Sequence, residues 1–294
     1  IGQLVEFGHE LALAGEGRLP VGTSVDQAGN RGQRGRVALA LGRQRGHVGH
    51  RLLAFAHDEH VRAVAQVVGG VVVADPQLQL FALQDGAFVP ADSNDNWGGS
   101  DTLRDTFARL GAGPLDATSK DAALAATLPQ TVYTAHVSGV GGTTGIALAE
   151  AYDAALADQD KRLTALSVRT QVGAGADSQI AGFVIAGEGT KKIVVRAVGP
   201  GLAPGVTGYL ADPTLRLWKL NPTTGTWTLI AANDNWGGAS TLKTAFSSVG
   251  MGALATDSKD AALMMELEPG IYTAQINGVG ATTGVALVEA YELP

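Results

Sequence analysis

Asn94-Asp95-Asn96-Trp97-Gly98-Gly99 recurs as Asn233-Asp234-Asn235-Trp236-Gly237-Gly238, 139 residues later. The same offset carries Ser119-Lys120-Asp121-Ala122-Ala123-Leu124 onto Ser258-Lys259-Asp260-Ala261-Ala262-Leu263 and Tyr133-Thr134-Ala135 onto Tyr272-Thr273-Ala274. It also carries Gly139-Val140-Gly141 onto Gly278-Val279-Gly280, Thr143-Thr144-Gly145 onto Thr282-Thr283-Gly284, and Glu150-Ala151-Tyr152 onto Glu289-Ala290-Tyr291. About 33 of the 59 positions from Asn94 to Tyr152 are identical to their counterparts, far above chance for a self-comparison. A period this long is a whole domain rather than a solenoid unit. Upstream, Ala74-Asp75-Pro76 matches Ala211-Asp212-Pro213 at an offset two residues smaller, which puts a longer hairpin in the second copy, around Asn221 to Thr226.

The second copy, 162–294, has regular strand signals. Leu163–Thr170, Gln179–Ala186 and Lys192–Val198 alternate or run apolar between Gly-rich breaks. Thr214–Leu220 and Thr226–Ala232 flank Asn221-Pro222-Thr223-Thr224-Gly225, a turn sequence. Leu242, Ala245, Phe246 and Val249 have helical spacing, so Thr241–Val249 is expected as a short helix on a sheet edge. Ala261–Glu268, Pro269-Gly270 and Ile271–Asn277 read as a hairpin, and Val285–Tyr291 closes the domain. The expected fold is all-β: two tandem antiparallel β-sandwich modules, jelly-roll-like or immunoglobulin-like, the first incomplete at its N-terminal side.

Two blocks carry a resemblance: Asp212 to Leu217 with Asn233 to Gly238, and Leu267 to Tyr291. They resemble repeat modules of large secreted bacterial proteins and, more distantly, are similar to the bacterial pre-peptidase C-terminal domain, a small jelly-roll-like sandwich. The likeness covers about Val73 to Asp153 and Arg162 to Pro294. It implies an accessory module that aids secretion, surface attachment or substrate contact, in a family some of whose members bind calcium.

Composition narrows the function classes. Charged residues are 17% of the chain, below the roughly 25% usual for globular proteins. The net charge of -7 argues against a nucleic-acid partner, because phosphate binding needs a basic surface. The absence of cysteine excludes disulfides and cysteine-based metal centres. No apolar run reaches the roughly 18 residues that span a membrane. No signal peptide stands in the first residues, so an extracellular or cell-surface location is an expectation that rests on the resemblance.

The first 72 residues stand apart. They hold no lysine, eight of the 14 arginines and five of the six histidines, and carry +2 against -9 for the rest. Only Val61-Arg62-Ala63-Val64 echoes Val195-Arg196-Ala197-Val198, at a discordant offset. The segment reads as a divergent unit, an unrelated linker, or an out-of-frame translation of a GC-rich gene; composition favours the last. It is therefore expected not to supply the three strands that the first copy lacks. The chain then divides into 1–72, a partial first repeat over 73–153, a linker over 154–161 and a complete second repeat, with the copies joined loosely or at a modest interface.

Candidate sites are few. Calcium needs six to eight oxygens. The repeated turns offer Asn94, Asp95 and Asn96 with Asp75, and Asn233, Asp234 and Asn235 with Asp212; Asp234 is the strongest candidate ligand. The competing reading is structural: Asn and Asp form Asx-turns, glycine supplies positive φ, and tryptophan covers the end of the core. That reading is favoured, and no other cofactor is expected. His57-Asp58-Glu59-His60 is not in metalloprotease order, and the Arg-Gly run from Arg31 to Arg45 lacks aromatics. Asp121 and Asp260 are expected to cap or start strands, and Glu150 and Glu289 to be solvated strand-face charges. Ser138 and Ser247 have no triad companions, because His136 becomes Gln275.

The expected function is a non-catalytic structural or adhesive repeat module of a larger secreted or cell-surface protein. Its partners would be a surface polysaccharide or neighbouring modules of the same protein, with no nucleic acid and no membrane span. The alternative is a carbohydrate-binding or accessory domain of a secreted hydrolase. Exposed Trp97 and Trp236 would favour sugar binding; buried ones would not.

Overall fold

Strict alternation makes strands with one buried face. In Pro76–Gln84, Leu78, Leu80 and Ala82 are buried while the residues between them are not. The computed structural model describes residues 39–41, 50–57, 61–69, 73–110, 112–129, 131–145, 147–154, 162–175, 177–185 and 187–294. In the first copy these form β1 (Leu39–Leu41), β2 (His50–His57), β3 (Val61–Gly69), β4 (Pro76–Gln84), β5 (Ala87–Asn94), α1 (Asp101–Leu110), β6 (Ala122–Leu128), β7 (Val132–Gly139) and β8 (Ala147–Asp153). The second copy gives β9 (Arg162–Val172), β10 (Gln179–Ile185), β11 (Lys191–Val198), β12 (Pro213–Asn221), β13 (Thr226–Asn233), α2 (Ser240–Ser248), β14 (Ala261–Leu267), β15 (Gly270–Gly278) and β16 (Gly284–Glu292). The protein is mostly β, as expected, and its sheets are antiparallel.

One sheet runs β13-β12-β15-β10-β1-β8-β3-β6 and the other β14-β11-β16-β9-β2-β7-β4-β5. Counted from the start of each copy, both halves have the same strand orders, 1-8-3-6 and 2-7-4-5. The halves meet where β1 pairs with β10 and β2 with β9.

Three expectations are corrected here. Residues 1–72 do supply strands: β1, β2 and β3 take the places that β9, β10 and β11 take in the second copy. A ladder is a backbone structure, so a segment of odd composition joins it wherever extended, apolar-rich stretches such as Leu-Leu-Ala-Phe-Ala survive. The echo at Val61–Val64 was also misplaced, since pairing with β8 and β16 sets Val64 opposite Tyr152 and Val194 opposite Tyr291. The true counterpart of Arg196 is therefore Gln66. Finally, the copies are not joined loosely, because both sheets continue from one into the other. The histidine-rich tetrapeptide, apart from His57, and most of the Arg-Gly run lie outside the described residues.

The core follows the sheets. A single buried cluster between them takes Leu80, Tyr133 and Ala151 from the first copy and Val168, Phe183, Tyr272 and Val288 from the second. Two smaller clusters lie on outer faces. In one, Phe107 and Leu110 of α1 pack with Trp97 and Tyr152; in the other, Phe246 of α2 packs with Trp236, Met251, Leu254 and Tyr291. The helix thus covers a sheet face formed by β14, β11, β16 and β9, rather than a sheet edge.

The two-residue difference in offset has a local cause. β4 and β5 are joined by Asp85-Gly86, with φ of 50° and 81°, the positive values of a tight hairpin turn. β12 and β13 are joined by four residues, with Asn221 accepting from the N–H groups of Thr223 and Thr224.

Candidate functional site

The repeated turn folds in the same way twice. After β5 and β13 the chain must reverse to enter a helix, and the Gly-Gly pair allows it: Gly98 and Gly99 have φ of 67° and 64°, Gly237 and Gly238 of 67° and 65°. The tryptophan before the pair is then driven onto the outer sheet face, where Trp97 and Trp236 are each only 3% exposed. Each packs on the helix, Trp97 against Phe107 at 6.0 Å and Trp236 against Phe246 at 5.7 Å between ring centroids. These indoles cover the outer face, so the expectation that they cap the end of the sandwich core is corrected.

Polar atoms of the turn are largely occupied by the protein itself. Asn94 donates to Asn96 O and accepts from the Ala123 N–H, both at 3.0 Å. Asn233 does the same with Asn235 O and the Ala262 N–H, also at 3.0 Å. Trp97 Nε1 donates to Asp116 O and Ser119 Oγ, and Trp236 Nε1 to Ala255 O and Ser258 Oγ. Each serine in turn donates to the aspartate two residues on, Asp121 or Asp260. The motif Ser-Lys-Asp is thereby read in full, because its lysine also has a partner: Lys120 pairs with Asp75 and Lys259 with Asp212.

Asp260 is fully buried, and its Oδ1 accepts the Gly199 N–H at 2.7 Å, with Gly201 N–H also in reach. Both Asp121 and Asp260 directly precede a strand, where they were expected. Of the candidate calcium ligands, Asp95, Asn96, Asp234 and Asn235 are exposed, Asn94 and Asn233 hold the turn, and Asp75 and Asp212 face lysines. No group of three or more acidic, histidine or cysteine side chains placed to hold a metal occurs among the described residues.

The glycine-rich closing segment is equally explained by close approach. A Cβ at Gly139 would stand 2.2 Å from Thr143 O, and one at Gly278 2.1 Å from Thr282 O. Tyr133 and Tyr272 donate to Pro129 O and Glu268 O, fastening the preceding hairpin.

The strand carboxylates depart from expectation. Glu150 and Glu289 are 4% and 5% exposed rather than solvated. Glu289 is paired with buried Arg196 at 2.5 Å, and that guanidinium also donates to Gly252 O and lies 4.9 Å from the Phe246 ring centroid. Glu150 accepts from Tyr152 Oη at 3.0 Å. Burial, with the neighbouring glutamate second, pushes the phenols of Tyr152 and Tyr291 well above the usual tyrosine range. Arg196 was missed at the sequence level; its signal was a lone charge in the otherwise apolar run Ile193-Val194-Val195-Arg196-Ala197-Val198.

Trp218 is a partly accessible tryptophan beside polar groups. Gln275 lies between Ala274 and Ile276, which face the inner core, so it faces outward. Trp218 is half-buried beside it and donates its indole N–H to Gln275 Oε1 at 3.2 Å. Leu229, opposite Trp218 in the ladder, is 44% exposed. The first copy has Phe81 against His136 at the same place, 4.5 Å between centroids.

Compared with known families and curated proteins, the chain matches no family model and no curated sequence. No helix among the described residues is long and apolar enough to cross a membrane.

Proposed function

We propose that the chain is a non-catalytic structural or adhesive module pair of a larger secreted or cell-surface bacterial protein, each copy a jelly-roll-like sandwich. The strand orders 1-8-3-6 and 2-7-4-5 in each half support the jelly-roll reading. The observation that carries the functional reading is where the repeated residues go. Asn94 and Asn233, Trp97 and Trp236, and Asp121 and Asp260 are engaged in holding turns and covering sheet faces. A shared catalytic centre would instead hold accessible nucleophiles or acid–base groups in common. The repeated Asn-Asp-Asn turn is taken as structural on the same ground, with calcium at Asp95 and Asp234 the competing assignment.

The test has two arms. The chain immobilised on beads should retain them on cell-surface polysaccharide or on further modules of the parent protein. It should show no turnover of ester, peptide or glycoside substrates. Turnover that Asp260→Asn or Glu289→Gln abolishes would overturn the reading.

Carbohydrate binding is kept as a second reading because of Trp218, which is half-exposed on the same strand face as exposed Arg216. Buried Trp97 and Trp236 offer no such platform. Retardation in polysaccharide-containing gels that Trp218→Ala removes would favour this reading.

A further inference from the structure

We propose that the β9 and β10 edges of the second copy form a self-complementary surface, and that a second chain docks there through its own β9 and β10 whenever β1 and β2 are unseated. This stands apart from the adhesive reading, since it concerns only the surface between modules.

The argument is one of register. Leu39 and Leu166 hold the same place in their copies, because they pair with Ala151 and Ala290, which are 139 residues apart. Ala54 and Phe183 hold the same place, because they pair with Tyr133 and Tyr272. At the joint, Leu39 lies opposite Phe183 and Ala54 opposite Leu166. Likewise Leu41 lies opposite Ala181 and Leu52 opposite Val168. Over the three pairs of the β1 ladder, exchanging the copies maps one ladder onto the other; the register shift of the β2 ladder falls beyond them, after Ala54. A joint with that property has the backbone symmetry of an isologous contact, in which a surface meets a copy of itself.

Sequence likeness does not impose this symmetry, since β1 and β2 share little with β9 and β10. The ladder and the inward apolar positions are therefore enough for seating, and the second copy supplies both. Pairing β9 with β10 of a partner chain sets Leu166 against the partner's Phe183 and Val168 against the partner's Ala181, all side chains that are buried and apolar here. The reason to dock is also physical. With β1 and β2 removed, two adjacent edges present unpaired N–H and C=O groups over an open apolar core, a template for a further strand pair.

The experiment uses the full chain, which has no natural cysteine. Arg51 pairs with Arg169 and with His136, and Ile180 pairs with Gln275, the counterpart of His136. Arg169 should therefore lie opposite the partner's Ile180. Within one chain the two residues belong to different sheets and cannot be bridged. Arg169→Cys and Ile180→Cys are combined with Ala40→Pro and Leu53→Pro, which break the β1 and β2 ladders. In sedimentation this protein should run at twice the monomer mass, and on oxidation it should form an interchain disulfide. A monomer, or a dimer whose cysteines do not join, overturns the proposal. Should the prolines unfold the whole chain, the double-cysteine protein without them is heated to its midpoint and cooled at high concentration. Exchange should then yield the same disulfide-linked dimer, and its absence overturns the proposal equally.

Discussion

Glu289 and Glu150 stand at the same position of the two copies, and both are buried. The second copy neutralises its carboxylate with Arg196 from β11, while the first has Gln66 at that register and a tyrosine hydroxyl bonded to the acid. Around the tryptophan turns, by contrast, the copies agree almost atom for atom. The difference teaches that the module has two kinds of invariant. Asn94 and Asn233 and the tryptophans Trp97 and Trp236 must be kept because each satisfies a specific backbone group. The buried acid must be compensated: a tyrosine hydroxyl bonds it in both copies, and in the second Arg196 pairs with it as well.

The largest effect is expected from the buried indoles. Trp236→Ala and Trp97→Ala should each cost about 3–5 kcal/mol, the usual range for a buried aromatic. Because sheets and core are continuous, calorimetry should show one transition that either substitution moves. Two transitions, with only one displaced, would break the molecule into independent domains.

Next comes the buried acid. Arg196→Met leaves Glu289 without its cation and should cost about 3 kcal/mol in urea titration. Adding Glu289→Gln should recover most of that loss. Glu150→Gln should cost about 1 kcal/mol through its hydrogen bond with Tyr152. Equal losses from Glu150→Gln and Arg196→Met would erase the distinction between the copies.

The tyrosines give a pH test. Tyr291 and Tyr152 ionise in the unfolded chain near pH 10, and only at higher pH when folded. Below about pH 10 their contribution to stability is complete; it is lost as pH rises from there through the folded values. Melting temperature should thus fall above about pH 10, and Tyr291→Phe combined with Tyr152→Phe should flatten the fall. An unchanged alkaline slope in the double variant would place the titration elsewhere.

The smallest effect belongs to the exposed turn carboxylates. Asp234→Asn should change stability by no more than about 0.5 kcal/mol, as for most surface substitutions, and calcium should leave the melting temperature where it is. A bound ion at one hundred times its dissociation constant would instead add about 2.7 kcal/mol. A calcium-dependent rise that Asp234→Asn removes would turn the repeated turn into a metal site.

Much of this was legible beforehand because the signals are local. Helical spacing at Leu242, Ala245 and Phe246 marked α2, and alternation marked β9 to β16 within a residue or two. Gly-Gly after tryptophan marked the turn. The misreadings came where partners are distant in sequence. Nothing near Glu289 announces Arg196, 93 residues away. Nothing in the composition of residues 1–72 says that three of its segments complete two sheets.

The sequence by itself determined that one segment is repeated, that the chain is β-rich, and where its turns lie, since these follow from repetition, periodicity and the backbone freedom of glycine. Tertiary structure decided that the two copies share two continuous sheets and the core between them, and that the tryptophans are buried on the outer sheet faces against helices. It also decided that the strand glutamates are buried. Those outcomes depend on which edge meets which and on which face is covered. Main-chain ladders admit many side-chain sequences, and burial is a property of the neighbour rather than of the residue alone.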